Sequence, residues 1–431
     1  MKQLFRITAA GLALTAALTA SAFAADFTES ADHLKELGLF QGTEQGYELD
    51  RAPTRAEAAT MLVRLLGMEQ KAESLSYTAP FTDLENWEKP YVQYLYDNQL
   101  TTGATATTFE PESPCTAQMY AAFLLRALGY SETAGDFIYR DASDFAEQCG
   151  VYNPATVDEE KFLRDHVAAA SYTALSIAPK SASGTLLDQL TAEGAVDKTK
   201  AEPYQKLFQE YAVYHKATAG MDALTALETT NDVTASVSSS WENRENNKLF
   251  TLQSSETNKL DLAKPALLTD RVVTMTSATA GEKSFTATSY TADGMRYVKQ
   301  NGQKSRAAQT AGQMDLLREG YARVPVALVD AITTSADGGY GITYSKAALS
   351  RLGETLSAAA EAVGGLDKMT LHTLTVEQTV ADGLITSQKT TVEFDGGTIA
   401  GTLSSVMKLT ATNEKVALTP PANLDQYPLV K

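Results

Sequence analysis

Ala58, Met61, Leu62, Leu65 and Leu66 recur at three- and four-residue steps, the spacing of one face of a helix. Thr54 precedes them as a side-chain cap, and Glu57, three residues on, makes the pair a capping box. Gly67 stops the run. Upstream, Ala31 to Leu37 reads as a short helix ended by Gly38, and Gly42, Gly46 and Pro53 mark a turn-rich connector. The unit is helix, loop, helix, and it returns 62 residues later. Leu62-Val63-Arg64-Leu65-Leu66-Gly67 matches Leu124-Leu125-Arg126-Ala127-Leu128-Gly129, with Tyr47 falling on Phe109 and Thr54 on Thr116. A weaker third copy puts Arg55 on Arg164 and Leu66 on Leu175. Such a unit cannot bury its apolar stripe alone, so neighbouring copies must pack together.

The period changes near residue 200. Pro203 precedes a helical stretch carrying Leu207, Phe208, Tyr211 and Tyr214, after which strands rich in Thr and Ser dominate. Asp293-Gly294 separates Phe285–Thr291 from Met295–Gln300, and Asn301-Gly302 follows at once. Asp382-Gly383 separates Thr370–Val380 from Leu384–Phe394, and Asp395-Gly396-Gly397 leads into Ile399–Thr410. Asp-Gly and Asn-Gly favour two-residue turns whose central positions both need positive φ, so these strands should meander antiparallel. One helix interrupts them, with Leu349, Leu352, Leu356, Ala359 and Val363 on one face and Gly364-Gly365 at its end. The fold class expected is therefore α+β in several domains. An all-α bundle of three repeats is followed by an antiparallel, half-barrel-like sheet with covering helices.

The repeats resemble S-layer homology repeats. Repeat two carries Phe81-Thr82-Asp83, Trp87 and Phe109-Glu110-Pro111, and repeat one carries an intact Thr54-Arg55-Ala56-Glu57. Repeat three keeps Asp141 and Arg164 but reads Leu163-Arg164-Asp165-His166, and repeat two reads Thr116-Ala117-Gln118-Met119. The resemblance covers residues 26–197. The second half more weakly resembles the LolA-like lipoprotein carriers and related surface modules, through Tyr290 to Lys299, Asn301 to Lys304 and the closing Pro421 to Leu429. That likeness implies a curved sheet able to hold an apolar ligand, or one filled by its own helix. The boundaries expected are repeats at 25–70, 71–130 and 131–200, and a β-rich domain at 205–431.

Composition narrows the picture. Residues 1–24 read as a secretory leader, with Lys2 and Arg6, an apolar run from Ala9 to Ala20 and a cleavage site at Ala22-Phe23-Ala24. That run is too short to span a membrane, and no later one approaches the length needed. The net charge of −17 argues against nucleic acid, whose binding rests on Lys and Arg neutralising phosphates. Cys115 and Cys149 are either two small buried residues or one bridge between repeats two and three. The four histidines have no metal-ligand spacing, and neither a phosphate loop nor a catalytic motif is present, so no cofactor, metal or catalytic residue is expected.

The resemblance implies that Arg55, and by the same logic Arg164, contact a pyruvylated secondary cell-wall polysaccharide linked to peptidoglycan. A ketal carboxylate is a planar anion, and a guanidinium offers a matching fork of donors. Ala117 stands where a third arginine would be. Glu57 and Asp83 are candidate contacts that also read as helix caps, and Trp87 either stacks on a sugar or fills the core, the core being favoured. Arg64 and Arg126 recur, as ion-pair or ligand groups. The expected protein is exported and held at the wall, displaying a structural or ligand-binding β module. The alternatives are a surface-tethered carrier of an apolar ligand and a wall-anchored hydrolase with an unrecognised catalytic domain.

Overall fold

The computed structural model describes residues 27–239, 247–277, 281–308, 324–346, 348–350, 370–396 and 399–429. The chain divides into two compact units. One is built from Ala25–Tyr211 with Pro325–Leu328, the other from Ala212–Val324 and Val329–Lys431.

The first unit is helical: α1 (Thr28–Glu36), α2 (Arg55–Leu65), α3 (Glu69–Glu73), α4 (Lys89–Asp97), α5 (Ala117–Ala127), α6 (Ala142–Gln148), α7 (Arg164–Leu175), α8 (Leu186–Ala192) and the start of α9 (Lys198–Ala217). The capping box forms. Thr54 Oγ1 accepts the Glu57 N–H at 3.2 Å, and the Glu57 carboxylate accepts the Thr54 N–H at 2.8 Å. Gly67, at φ +66°, takes the left-handed conformation that ends α2. The second helices of the repeats form the core, where Leu62, Leu65, Tyr120, Phe123 and Leu124 of the first two are almost wholly buried. Pro203 does not precede the last helix but lies inside it. The Asp197 carboxylate accepts the N–H groups of Thr199 and Lys200, which opens α9 at Lys198.

The second unit holds an eleven-stranded antiparallel sheet: β1 (Ala226–Ser238), β2 (Lys248–Asp261), β3 (Ala266–Ser277), β4 (Gly281–Ala292), β5 (Met295–Gln300), β6 (Gln303–Ala308), β7 (Val329–Thr334), β8 (Tyr340–Tyr344), β9 (Thr370–Ala381), β10 (Leu384–Gly396) and β11 (Ile399–Thr412). Strand order is 6-5-4-3-2-1-11-10-9-8-7, so the sheet is open and does not close into a barrel. Asp293-Gly294, Asn301-Gly302 and Asp382-Gly383 all have positive φ at both residues, as their hairpins require. Of the expected helix at 346–363, Leu352, Leu356, Ala359 and Val363 lie outside the described residues.

One face of the sheet alternates inward along every central strand. Val233, Ala235 and Val237 of β1 lie beside Ser254, Leu252 and Phe250 of β2. Further along the same face the buried residues turn polar: Asn231, Glu256, Asn258, Thr269 and Ser405. The closing segment lies against edge strand β6, where the Arg306 N–H donates to Pro428 O at 2.8 Å. That contact covers part of an edge that would otherwise offer unpaired backbone groups.

Candidate functional site

The helical repeats join head to tail through matching contacts. At the start of α2, the N–H of Arg55 donates to Ser113 O at 2.9 Å and that of Ala56 to Pro111 O at 3.0 Å. At the start of α7, Arg164 N–H donates to Arg51 O at 2.9 Å and Asp165 N–H to Leu49 O at 3.1 Å. Each acceptor in the second pair precedes its counterpart in the first by the repeat period. The side chains repeat the pattern. Arg55 Nε donates to Phe109 O at 2.7 Å, and Arg164 Nε to Tyr47 O at 2.9 Å. Each arginine thus reaches the aromatic loop of another repeat and sits at the junction, or cleft, between the two.

The Arg55 cleft holds an uncompensated cation. The residue is only 7% exposed, and its guanidinium lies 4.8 Å from the Phe109 ring centroid and 5.8 Å from that of Phe123. No carboxylate among the described residues comes within ion-pair distance of it. Burial is the main influence on its pKa and pushes it below the usual arginine value, with Cys115, Tyr139 and Glu110 acting in the opposite direction. A guanidinium stripped of water and left without a counter-ion is costly unless an anion arrives to pair with it.

The Arg164 cleft is different. Arg164 is 3% exposed and lies 3.6 Å from the Glu57 carboxylate. Arg51 grips the same carboxylate with both terminal nitrogens, at 2.8 and 2.6 Å, and its Nε contacts Glu48 at 3.1 Å. Burial alone would raise the Glu57 carboxyl. The Arg51 and Thr54 hydrogen bonds and the Arg164 charge outweigh it and hold Glu57 below the usual carboxylate range.

Asp83 is not a helix cap. Its carboxylate accepts the N–H groups of Phe109, at 2.9 and 3.1 Å, and of Glu110, at 2.8 Å. It fixes the loop whose carbonyl holds Arg55, a link across 26 residues that no local motif announces. Trp87 is not core: it is 46% exposed and precedes α4 rather than lying in it. Cys115 and Cys149 are both free thiols, Cys115 buried with its pKa pushed up to about 12 by burial, Cys149 half-buried beside Tyr130. Arg64 is held by Glu69 at 2.8 Å, and Arg126 by Glu132, an acid six residues further along the chain. Arg51 was not singled out in the sequence. The signal available was its place two residues before Pro53, at the position that Ser113 fills in the next repeat.

Residues 80–116 match the S-layer homology domain. The chain carries an S-layer homology domain. That segment contains Asp83, Trp87 and the Phe109–Ser113 loop that closes the Arg55 cleft. The chain is 32% identical to the middle cell wall protein of Brevibacillus brevis over 118 residues, 27% of this chain and 11% of that one. It is 31% identical to the surface layer protein of Brevibacillus choshinensis over 138 residues, 29% and 12% of the two chains. An endoglucanase of a Bacillus species is 34% identical over 76 residues, 17% and 8%. The chain spans about a tenth of the length of the relatives it matches. The S-layer homology domain and the wall and surface-layer relatives mark this as a secreted protein of the cell surface.

In the sheet unit a groove of about 260 Å³ crosses β11, β1 and β2, lined by Thr234, Ala235, Ser236, Thr251, Leu252, Gln253, Thr402 and Ser404. Its lining mixes hydroxyl and amide groups with Ala235 and Leu252, and the apolar ligand expected of this half finds no support. No helix among the described residues is long and apolar enough to cross a membrane.

Proposed function

We propose that the helical unit anchors the protein non-covalently to a pyruvylated wall polysaccharide through the Arg55 cleft. Three repeats, at 25–70, 71–130 and 131–200, make up this anchor, and the β-rich region at 205–431 is the part displayed. The observation that carries the reading is the buried Arg55 guanidinium, fixed by Phe109 O through Nε and left without a carboxylate partner. A ketal carboxylate would complete its charge-assisted hydrogen bonds, and the half-exposed ring of Trp87 offers a face for sugar stacking. The positive dipole end of α2 adds to the attraction. The groove of the sheet holds neither acid nor base, which favours a structural or display role over hydrolysis.

The test is sedimentation of the mature full chain with purified cell-wall sacculi, beside Arg55→Ala. A charge-assisted contact is worth about 1.5–3 kcal/mol, so the variant should bind about tenfold or more weakly. Failure of the unmutated chain to bind sacculi would overturn the reading.

A further inference from the structure

The two arginine clefts are assembled from corresponding residues and differ in charge at two of them. Phe109 corresponds to Tyr47, Ser113 to Arg51 and Met119 to Glu57. Where the open cleft has serine and methionine, the other has an arginine and a glutamate that contact each other. The Glu57 carboxylate there receives a two-pronged grip from Arg51 and stands 3.6 Å from Arg164. A fork of donors backed by a second guanidinium is the set that a ligand carboxylate requires. We infer that Glu57 acts as a built-in carboxylate filling a second, latent anion site, so that the chain keeps one cleft open and one closed by its own side chain. The class of ligand this latent site takes is a planar carboxylate, in competition with Glu57. Arg51 is then a specificity-determining residue, because it adds a donor fork that the Arg55 cleft lacks. This rests on the wall-binding reading of Arg55.

Glu57→Gln separates blocking from capping. Glutamine at the third helical position keeps the capping box while losing the charge. In sacculus sedimentation, Arg55→Ala/Glu57→Gln should recover about tenfold of the binding lost in Arg55→Ala, as Arg51 and Arg164 become available. Recovery absent from a folded double variant would count against the inference. The reverse swap is Met119→Glu. Thr116 already caps α5 by accepting the N–H of residue 119 at 3.2 Å, so a glutamate there completes a capping box like that of α2. Thermal stability should hold or rise while wall binding falls about tenfold; unchanged binding would overturn the inference.

A readout independent of the wall keeps the two readings apart. Phenylglyoxal labelling of Arg51, followed by peptide mass spectrometry, should be slow in the unmutated chain and several-fold faster in Glu57→Gln, with pyruvate protecting it. If the unmutated chain fails to bind sacculi but Glu57→Gln shows pyruvate-protected Arg51, the latent site stands and the wall reading falls. Equal labelling in both, insensitive to pyruvate, would overturn the latent site whatever the sacculi show.

Discussion

Each unit contains a glutamate paired with arginine, and the two pairs are driven in opposite directions. In the helical unit the Glu57 side chain is 21% exposed and is met by two guanidinium groups and a backbone N–H. In the sheet unit the Glu256 side chain is fully buried beside Arg271, whose Nε comes to 2.8 Å of Oε1. That N–H points off the line of contact, so the approach is an ion contact rather than a directed hydrogen bond, and Glu256 Oε2 has no hydrogen-bond partner. Burial therefore dominates and raises the Glu256 carboxyl, with the Arg271 charge working against it. An ion pair stabilises a carboxylate when its shell of donors is complete and water still reaches it. With an incomplete shell in a dry interior, desolvation prevails.

The largest effect that could break this comparison lies in the sheet. Arg271→Leu strands a buried carboxylate and should cost about 3–5 kcal/mol in urea unfolding, whereas Glu256→Leu/Arg271→Leu should be close to neutral or stabilising. A single variant no worse than the double would mean that Glu256 reaches water or another donor. Next comes Asp83→Ala, which leaves the amides of Phe109 and Glu110 without their acceptor. Hydrogen bonds to a charged group are worth about 1.5–3 kcal/mol, so stability and wall binding should fall together. Loss of stability with wall binding intact would detach the Phe109 loop from the Arg55 cleft. Thr54→Ala removes the side-chain half of the first capping box and should cost about 1 kcal/mol by thermal unfolding.

Acidity should separate the two carboxylates with the smallest shifts. Glu57 is held below its unfolded pKa, so its contribution is present above the usual carboxylate value and is lost as pH falls through its folded pKa. Glu256 is raised, so its contribution is fully present below the unfolded value and is lost as pH rises through the folded one. Melting curves across pH 3–7 (roughly the carboxylate range) should therefore flatten on the acid side in Glu57→Gln and on the neutral side in Glu256→Gln. Unaltered slopes in both would remove the contrast.

What was legible in the sequence was what repeats or is local. The repeat offsets of 62 and 109 residues set Ala117 and Arg164 opposite Arg55, the Thr54–Glu57 spacing gave the cap, and the Asp-Gly and Asn-Gly pairs gave the hairpins. Long-range partners were not legible. Asp83 sits three residues before Asn86 in a segment that looks like a helix start, yet it serves a loop far along the chain. Trp87 reads as an aromatic of an amphipathic helix, and only the start of α4 at Lys89 leaves it exposed. In β2 the alternation is plain, but Phe250 and Leu252 share their face with Ser254, Glu256 and Asn258. Period two finds the strand, while a polar belt on the inner side hides which face is buried. The difference between the clefts was present in the letters at 51, 57, 113 and 119. It became readable only once the loops of one repeat were seen to close on the helix of another.

The strand order also governs when the sheet can be finished. β1 and β11 are neighbours at its centre, Leu227 opposite Thr412 and Ser238 opposite Ala400, although they are the first and last strands in the chain. The two flanking meanders, β1–β6 and β7–β11, can zip from their own hairpins, but the seam between them must wait for the final strand. A chain emerging amino end first would carry β1 with one long edge uncovered until β11 is released, the slow and sticky stage of a topology rich in distant pairings. A truncation just before Ile399 should thus yield two sheet fragments prone to self-association rather than a slightly smaller sheet.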